Sequence, residues 1–175
     1  MASLARASRI KNPALFICDI QDKFRSKIYE FSKLVATTDK MIRASNALQI
    51  PIYITTQSRT KLGTTVPELA ANLTGPNIRA DIDKTLFSMI TPRTRAPATQ
   101  PTARRNNRRH RDTHLRDTDN TRPPRARTPQ GIALARLRDA GAIVTSSESV
   151  LFEILGDAGH AQFKAVTGLV KETSE

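Results

Sequence analysis

Few side chains in this chain are equipped for nucleophilic, acid–base or metal chemistry. Cys18 is the only thiol, and it stands beside Asp19 near the end of the apolar run Pro13–Ile20. Neighbours on a strand point to opposite faces. The thiol is therefore expected to face away from the carboxylate and to serve as a small buried hydrophobe. There are three histidines, His110, His114 and His160. His160 precedes an amphipathic segment and reads as structural. The densest chemistry is cationic: residues 93–129 hold eleven arginines and no lysine. Such a segment can neutralise phosphates, yet it has no interleaved aromatics on which bases would stack.

That segment also explains the charge of the whole. Its eleven arginines against three aspartates supply +8 of the net +12, so the rest of the chain is only mildly basic. Leu115 is its one large apolar side chain, and it has no Glu, Gly, Val, Ile, Phe, Met or Tyr. A stretch so poor in apolar groups is expected to be irregular and exposed. With 175 residues, the chain is long enough for one domain with a real core. A single cysteine excludes a disulfide framework. No apolar run reaches the roughly 20 residues that span a bilayer, and Met1–Asn12 lacks the apolar stretch of a secretory signal. A cytoplasmic location is the default expectation, with an amphipathic mitochondrial-type leader over Ala2–Lys11 as the alternative.

The flanks of the arginine-rich stretch alternate strand and helix. Pro13–Ile20 reads as a strand buried on both faces, as in a parallel sheet. Helical spacing over Tyr29–Gln49 follows from Phe31, Leu34, Val35, Met41, Ile42, Ala44 and Leu48. Pro51 stops it, and Ile52–Thr55 is the next strand, completing a right-handed βαβ unit. Residues 57–66 read as a polar loop, Pro67–Leu73 as a short helix and Ile82–Met89 as a third strand. Beyond the stretch, Gly131–Ala140 is a helix closed by Gly141, Ala142–Thr145 a strand, and Ser149–Leu155 and Ala161–Lys171 are helices. The pattern is α/β, with a doubly wound parallel sheet.

Five segments together resemble the isochorismatase-like cysteine hydrolases, in particular the small isochorismatase-domain-containing branch. They are Ala14–Phe24 (ALFICDIQDKF), Gly63–Leu69 (GTTVPEL), Lys84–Pro92 (KTLFSMITP), Ile132–Ser149 and Gly156–Lys164 (GDAGHAQFK). The resemblance covers residues 10–92 and 130–172. It implies a Rossmann-like three-layer α/β/α sandwich in one domain over 10–172, and hydrolysis of a small polar molecule by an Asp–Lys–Cys triad. Asp19 matches the aspartate at the end of the first strand, and Lys84 the lysine of the K-T-x-F-S motif. A carboxylate can take a thiol's proton, and an ammonium favours the thiolate. The triad cysteine belongs to a G-I-E-x-H-x-C-V-like motif that should fall within 93–129, where this chain has none. Some relatives bind a metal through an Asp/His cluster; residues 57–80 have no histidine, so neither metal nor cofactor is expected. The implied partners are a small-molecule substrate and further copies of the chain, since the family commonly oligomerises. Neither nucleic acid nor membrane is expected as a partner.

The absent motif is legible in another frame. When each codon takes the last two bases of one residue and the first base of the next, Asn106–Pro129 can be read T-I-V-G-I-E-T-H-I-C-V-T-Q-T-T-L-D-L-L-A-R-G-H. The cysteine arises where Leu115 and Arg116 now stand. His110 and His114 are then products of the frame, which argues against a metal role. The central fourth strand and the helix bearing the nucleophile are thereby disrupted. The first strand should be left with an unpaired edge and the chain catalytically inactive as written. Two alternatives remain: a non-catalytic pseudoenzyme acting as an interaction module, and an Arg-rich nucleic-acid binder. Sequencing the mature transcript from the Thr91 codon to the Ile132 codon should return G-I-E-T-H-I-C-V-T-Q in frame. A transcript encoding Arg93–Pro129 as written would sink the frame reading.

Overall fold

In a computed structural model of the chain, the described residues are 10–92, 94 and 129–172. The chain divides into two units, Met1–Pro97 with Ser147–Glu175, and Ala98–Ser146. In the first unit three strands, β1 (Leu15–Cys18), β2 (Ile52–Gln57) and β3 (Ile78–Lys84), form a parallel sheet in the order β1-β2-β3. Helix α1 (Phe31–Ala47) links β1 to β2. Two single-turn helices, α2 (Arg59–Leu62) and α3 (Pro67–Ala70), lie between β2 and β3. Beyond the arginine-rich stretch come α4 (Pro129–Asp139), α5 (Ser147–Leu155) and α6 (Phe163–Glu172). The expected α/β class with a parallel sheet is the observed one.

The amphipathic spacing of α1 makes it the hub of the first unit. Its Phe31, Val35 and Ile42 pack with Ile17, Ile52 and Ile54 of the sheet and with Val66 and Leu69 around α3. Its other side places Ala44 and Met41 against Leu151 and Leu155 of α5 and Val166 and Leu169 of α6. Each fully buried aliphatic side chain contributes about 1.5–3 kcal/mol, so these two clusters stabilise α1 from both sides. Gln49, in the left-handed region at φ +55°, turns the chain away from the helix. Pro51 then leads into β2.

β2 is buried along most of its length, Thr55 and Thr56 included, as suits the middle strand of a parallel sheet. β1 pairs with β2 alone among the described residues. On its other side no described residue pairs with it, in line with the edge expected from the loss of a fourth strand. In the second unit, α4 ends as the glycine implied. Gly141, at φ +92°, donates its N–H to the Arg138 carbonyl, and Ala142 donates to the Leu137 carbonyl. These are the two bonds of a Schellman cap.

The structure corrects several expectations, beginning with β1, which is not buried on both faces: Phe16 is 43% exposed and Cys18 is exposed as well. The third strand is Ile78–Lys84, not Ile82–Met89, because β2 supplies pairing only as far as Gln57 opposite Lys84. Beyond that point the chain has no ladder to join, and Phe87 is 95% exposed. Asp81 and Asp83 of this strand are absorbed at its edge by Arg59 and Thr56. Residues 57–66 are not all loop, since β2 runs to Gln57 and α2 follows. Ala142–Thr145 forms no strand; a short apolar run needs a ladder partner, and Ile143 is 85% exposed. Within 93–129 only Thr94 and Pro129 are described. Thr94 is buried rather than exposed, its hydroxyl donating to the Met89 carbonyl at 2.7 Å. The expectation for the remainder, and the leader reading of residues 2–9, fall outside the described residues.

One polar contact ties α5 to α1. The Lys40 ammonium, almost fully buried, donates to the Glu148 carboxylate. This hydrogen bond, with help from backbone N–H at the start of α5 and the Ser147 hydroxyl, lowers the Glu148 pKa from 4.5 to about 2. A depressed carboxyl contributes stability fully above its unfolded value and loses it as the pH falls toward the folded value. Urea unfolding followed by circular dichroism from pH 6 down to about 2 should show this. Glu148→Gln should be less stable than the parent at pH 6, and the gap should close between pH 4.5 and about 2. Parallel curves through that window would refute the assignment.

Candidate active site

The carboxyl ends of all three strands converge on one polar cluster, the end at which open parallel sheets bind ligands. Asp19 follows directly on β1. Its backbone N–H still donates to the Thr55 carbonyl at 3.0 Å, extending the ladder by one bond. Its φ of +53° then breaks the strand alternation. Left-handed geometry is tolerated by Asp better than by most residues. The carboxylate accepts the Thr55 hydroxyl on Oδ1 at 2.8 Å and the Lys84 ammonium on Oδ2 at 2.7 Å.

Lys84 is the last residue of β3 and pairs in register with Gln57, the last of β2. Its Nζ donates to the Gln57 side-chain Oε1 at 2.8 Å as well as to Asp19. The Lys84 side chain is 2% exposed and that of Asp19 19%. The pair is thus enclosed on the lysine side and open to solvent on the carboxylate side. Sequence reasoning named both residues, and the fold brings them together across 65 positions.

Three supporting residues escaped that reasoning. Thr55 and Gln57 were read as strand and loop, although alternate positions at the end of β2 are where a neighbour's charged groups would be met. Gln21 was quoted within the Ala14–Phe24 motif but given no role. It is fully buried. Its Oε1 accepts the Gln57 backbone N–H at 2.7 Å, while its Nε2 donates to the carbonyls of Gly63 at 2.5 Å and Gln57 at 3.2 Å. A side-chain amide thereby stands in for a backbone ladder beyond the end of β1.

Cys18 requires a correction: it is exposed, not buried. Its thiol also does not avoid Asp19, because the left-handed turn brings the carboxylate round to it. Loss of hydration around the thiol, then the Asp19 charge, push its pKa upward; hydrogen bonding with Thr55 and the Lys84 charge oppose this only in part. The balance disfavours thiolate. His160 accepts the Gln162 backbone N–H at Nδ1, a local bond at the approach to α6. His110 and His114 lie outside the described residues, among which no His/Cys/Asp/Glu cluster of metal-binding type occurs.

An open parallel α/β unit of this kind is the fold of the isochorismatase class. The chain belongs to that family: the isochorismatase domain matches residues 13–110. Among its relatives, isochorismatase domain-containing protein 2 of Xenopus laevis is 32% identical over 98% of this chain and 91% of its own length. The Bos taurus protein of the same name is 33% identical over 91% and 83%. A secreted isochorismatase effector of Phytophthora sojae is 29% identical over 90% and 84%. Of solved structures, a MAR1 ribonuclease from Caenorhabditis elegans superposes with TM-score 0.69 at 25% identity, over 91% of this chain and 90% of the other. A hypothetical protein from Trypanosoma cruzi shares the fold, with TM-score 0.60 at 18% identity over 90% of each chain. Among the described residues, no helix is long and apolar enough to cross a membrane.

Removing one partner of an enclosed ion pair strands the other. Asp19→Asn should destabilise the chain by about 3 kcal/mol, because it leaves the buried Lys84 ammonium without its counter-ion. Lys84→Met should cost less, since Asp19 keeps Thr55 and solvent. The double variant should be more stable than the sum of the two losses implies. Additive losses in denaturant titrations would mean that the two charges are not coupled.

Proposed function

We propose that Asp19 and Lys84 are two members of an Asp–Lys–Cys site for hydrolysing a small polar molecule, of amide C–N or vinyl-ether type, and that the chain as written is catalytically inactive. The enclosed pair itself carries this reading. Burying opposite charges is a poor way to gain stability, because desolvation offsets the attraction. Two charges held by Thr55 and Gln57 at the ligand-binding end of a sheet are better accounted for by chemistry. In a correctly framed chain the carboxylate takes the proton of the cysteine thiol. The thiolate attacks the electrophilic carbon, and the Lys84 ammonium stabilises the negative charge that develops. The amine or alcohol leaves with the proton that Asp19 took. A water, giving a proton back to the carboxylate, then attacks the covalent intermediate, and the thiol is released with that proton.

The chain as written has the base and the ammonium but not the nucleophile. Cys18 does not take that role. It is the last residue of β1, immediately before Asp19, and its raised pKa keeps the thiol protonated. The substrate reading and homo-oligomerisation rest on family resemblance, and a cytoplasmic setting is the default for a chain with a single cysteine; all three belong to this proposal. So does the single-domain reading of 10–172.

The test is an exchange of segments. A chain in which Asn106–Pro129 is replaced by T-I-V-G-I-E-T-H-I-C-V-T-Q-T-T-L-D-L-L-A-R-G-H should be assayed beside the chain as written, against a panel of small amides and vinyl ethers. Turnover is expected only with the replacement. It should fall by roughly 10⁴-fold or more when the restored cysteine becomes serine, as for other lost nucleophiles. Equal turnover by the chain as written would overturn the assignment.

A further inference from the structure

We propose that Gln57 is a positioning residue for Lys84, fixing the direction in which the ammonium presents its remaining proton. The inference rests on the reading of Asp19 and Lys84 as the working pair. An ammonium has three N–H donors. Among the described residues those of Lys84 have two protein acceptors, Asp19 Oδ2 at 2.7 Å and Gln57 Oε1 at 2.8 Å. With two directions fixed, the third follows from tetrahedral geometry.

Gln57 can act this way because it is itself held at both ends. Its Nε2 donates to the Thr85 carbonyl at 2.9 Å. Turning the amide over would set an NH₂ against the ammonium and a carbonyl oxygen against a carbonyl oxygen. Only one orientation satisfies both neighbours. Its backbone is clasped by the Gln21 amide, whose Nε2 also grips the Gly63 carbonyl. The result is a relay of hydrogen bonds from the loop at Gly63 through Gln21 and Gln57 to Lys84, and onward through Asp19 to Thr55.

The choice of a neutral acceptor has a chemical consequence. A carboxylate at position 57 would also hold Lys84, but it would cancel the charge that the site needs and compete with Asp19 for the proton. An amide oxygen aims the ammonium and leaves its charge intact. On the opposite side the Thr55 hydroxyl does the matching work for Asp19, engaging Oδ1 and leaving Oδ2 to face Lys84.

The experiment is ¹⁵N NMR of the full chain as written, following hydrogen exchange of the Lys84 ammonium protons and of the Thr55 and Ile82 backbone amides. With Gln57→Leu, ammonium exchange should accelerate by roughly tenfold, the scale of one lost charge-assisted hydrogen bond. The Thr55 and Ile82 amides should keep their protection. Gln57→Asn retains the amide but draws it back by one methylene, so it should give the same selective loss should the leucine variant fail to fold. Unchanged ammonium exchange would overturn the proposal. So would equal acceleration at Thr55 and Ile82, which would make Gln57 a brace of the sheet and nothing more. The readout is the lysine's own protons, so it stands apart from whether the restored-frame chain turns over substrate.

Discussion

The ion pair between Asp19 and Lys84 is the constraint around which the rest of the first unit is arranged. It joins the ends of β1 and β3 across the intervening strand, and β2 supplies a neutral partner to each charge: Thr55 to the carboxylate and Gln57 to the ammonium. Two opposite charges removed from water need every remaining lone pair and proton accounted for. The parallel register does this by setting Cys18 opposite Thr55 opposite Ile82, and Gln57 opposite Lys84. A slip of one residue would send each polar side chain to the other face of the sheet. Among the described residues no buried side-chain nitrogen or oxygen lacks a hydrogen-bond partner.

The apolar packing serves that register. Ile17, Ile52 and Ile54 fix the sheet against α1, while α5 and α6 fix α1 from its far side. The Lys40–Glu148 and Arg43–Glu172 contacts add polar ties between α1 and the last two helices. The residues before and after the arginine-rich stretch therefore share one core, although more than fifty positions separate β3 from α5. This helps to explain how a family fold stays recognisable in a chain whose middle has a foreign composition. Its weak point is the outer edge of β1, where backbone donors and acceptors have no ladder partner among the described residues. An open edge of that kind is a template for pairing with another chain.

On the proposed reading a family scaffold and a family activity part company. The parallel sheet, the charge pair and the residues that orient it are in place among the described residues. The cysteine that the family resemblance implies within 93–129 is not in the sequence. Cys18 shows why proximity is insufficient: a thiol beside a carboxylate is made harder to ionise, and the nearby ammonium only partly offsets this.

Much of the fold was legible in the residues. The spacing of Phe31, Val35, Met41 and Ile42 gave α1, Gly141 gave the end of α4, and the order of strand and helix gave a parallel sheet. Asp19 and Lys84 were named through motif resemblance, and the structure places their side chains together. The sequence by itself determined these, since periodicity and residue type are local properties. Only the tertiary structure decided where β3 begins and ends, that Ala142–Thr145 is no strand, and that Cys18 lies exposed beside Asp19. Those outcomes depend on which backbone is available to pair and on a left-handed turn at Asp19. It likewise decided the parts played by Gln21, Thr55 and Gln57. Their side chains are ordinary polar groups until a distant strand brings a charge within hydrogen-bonding reach.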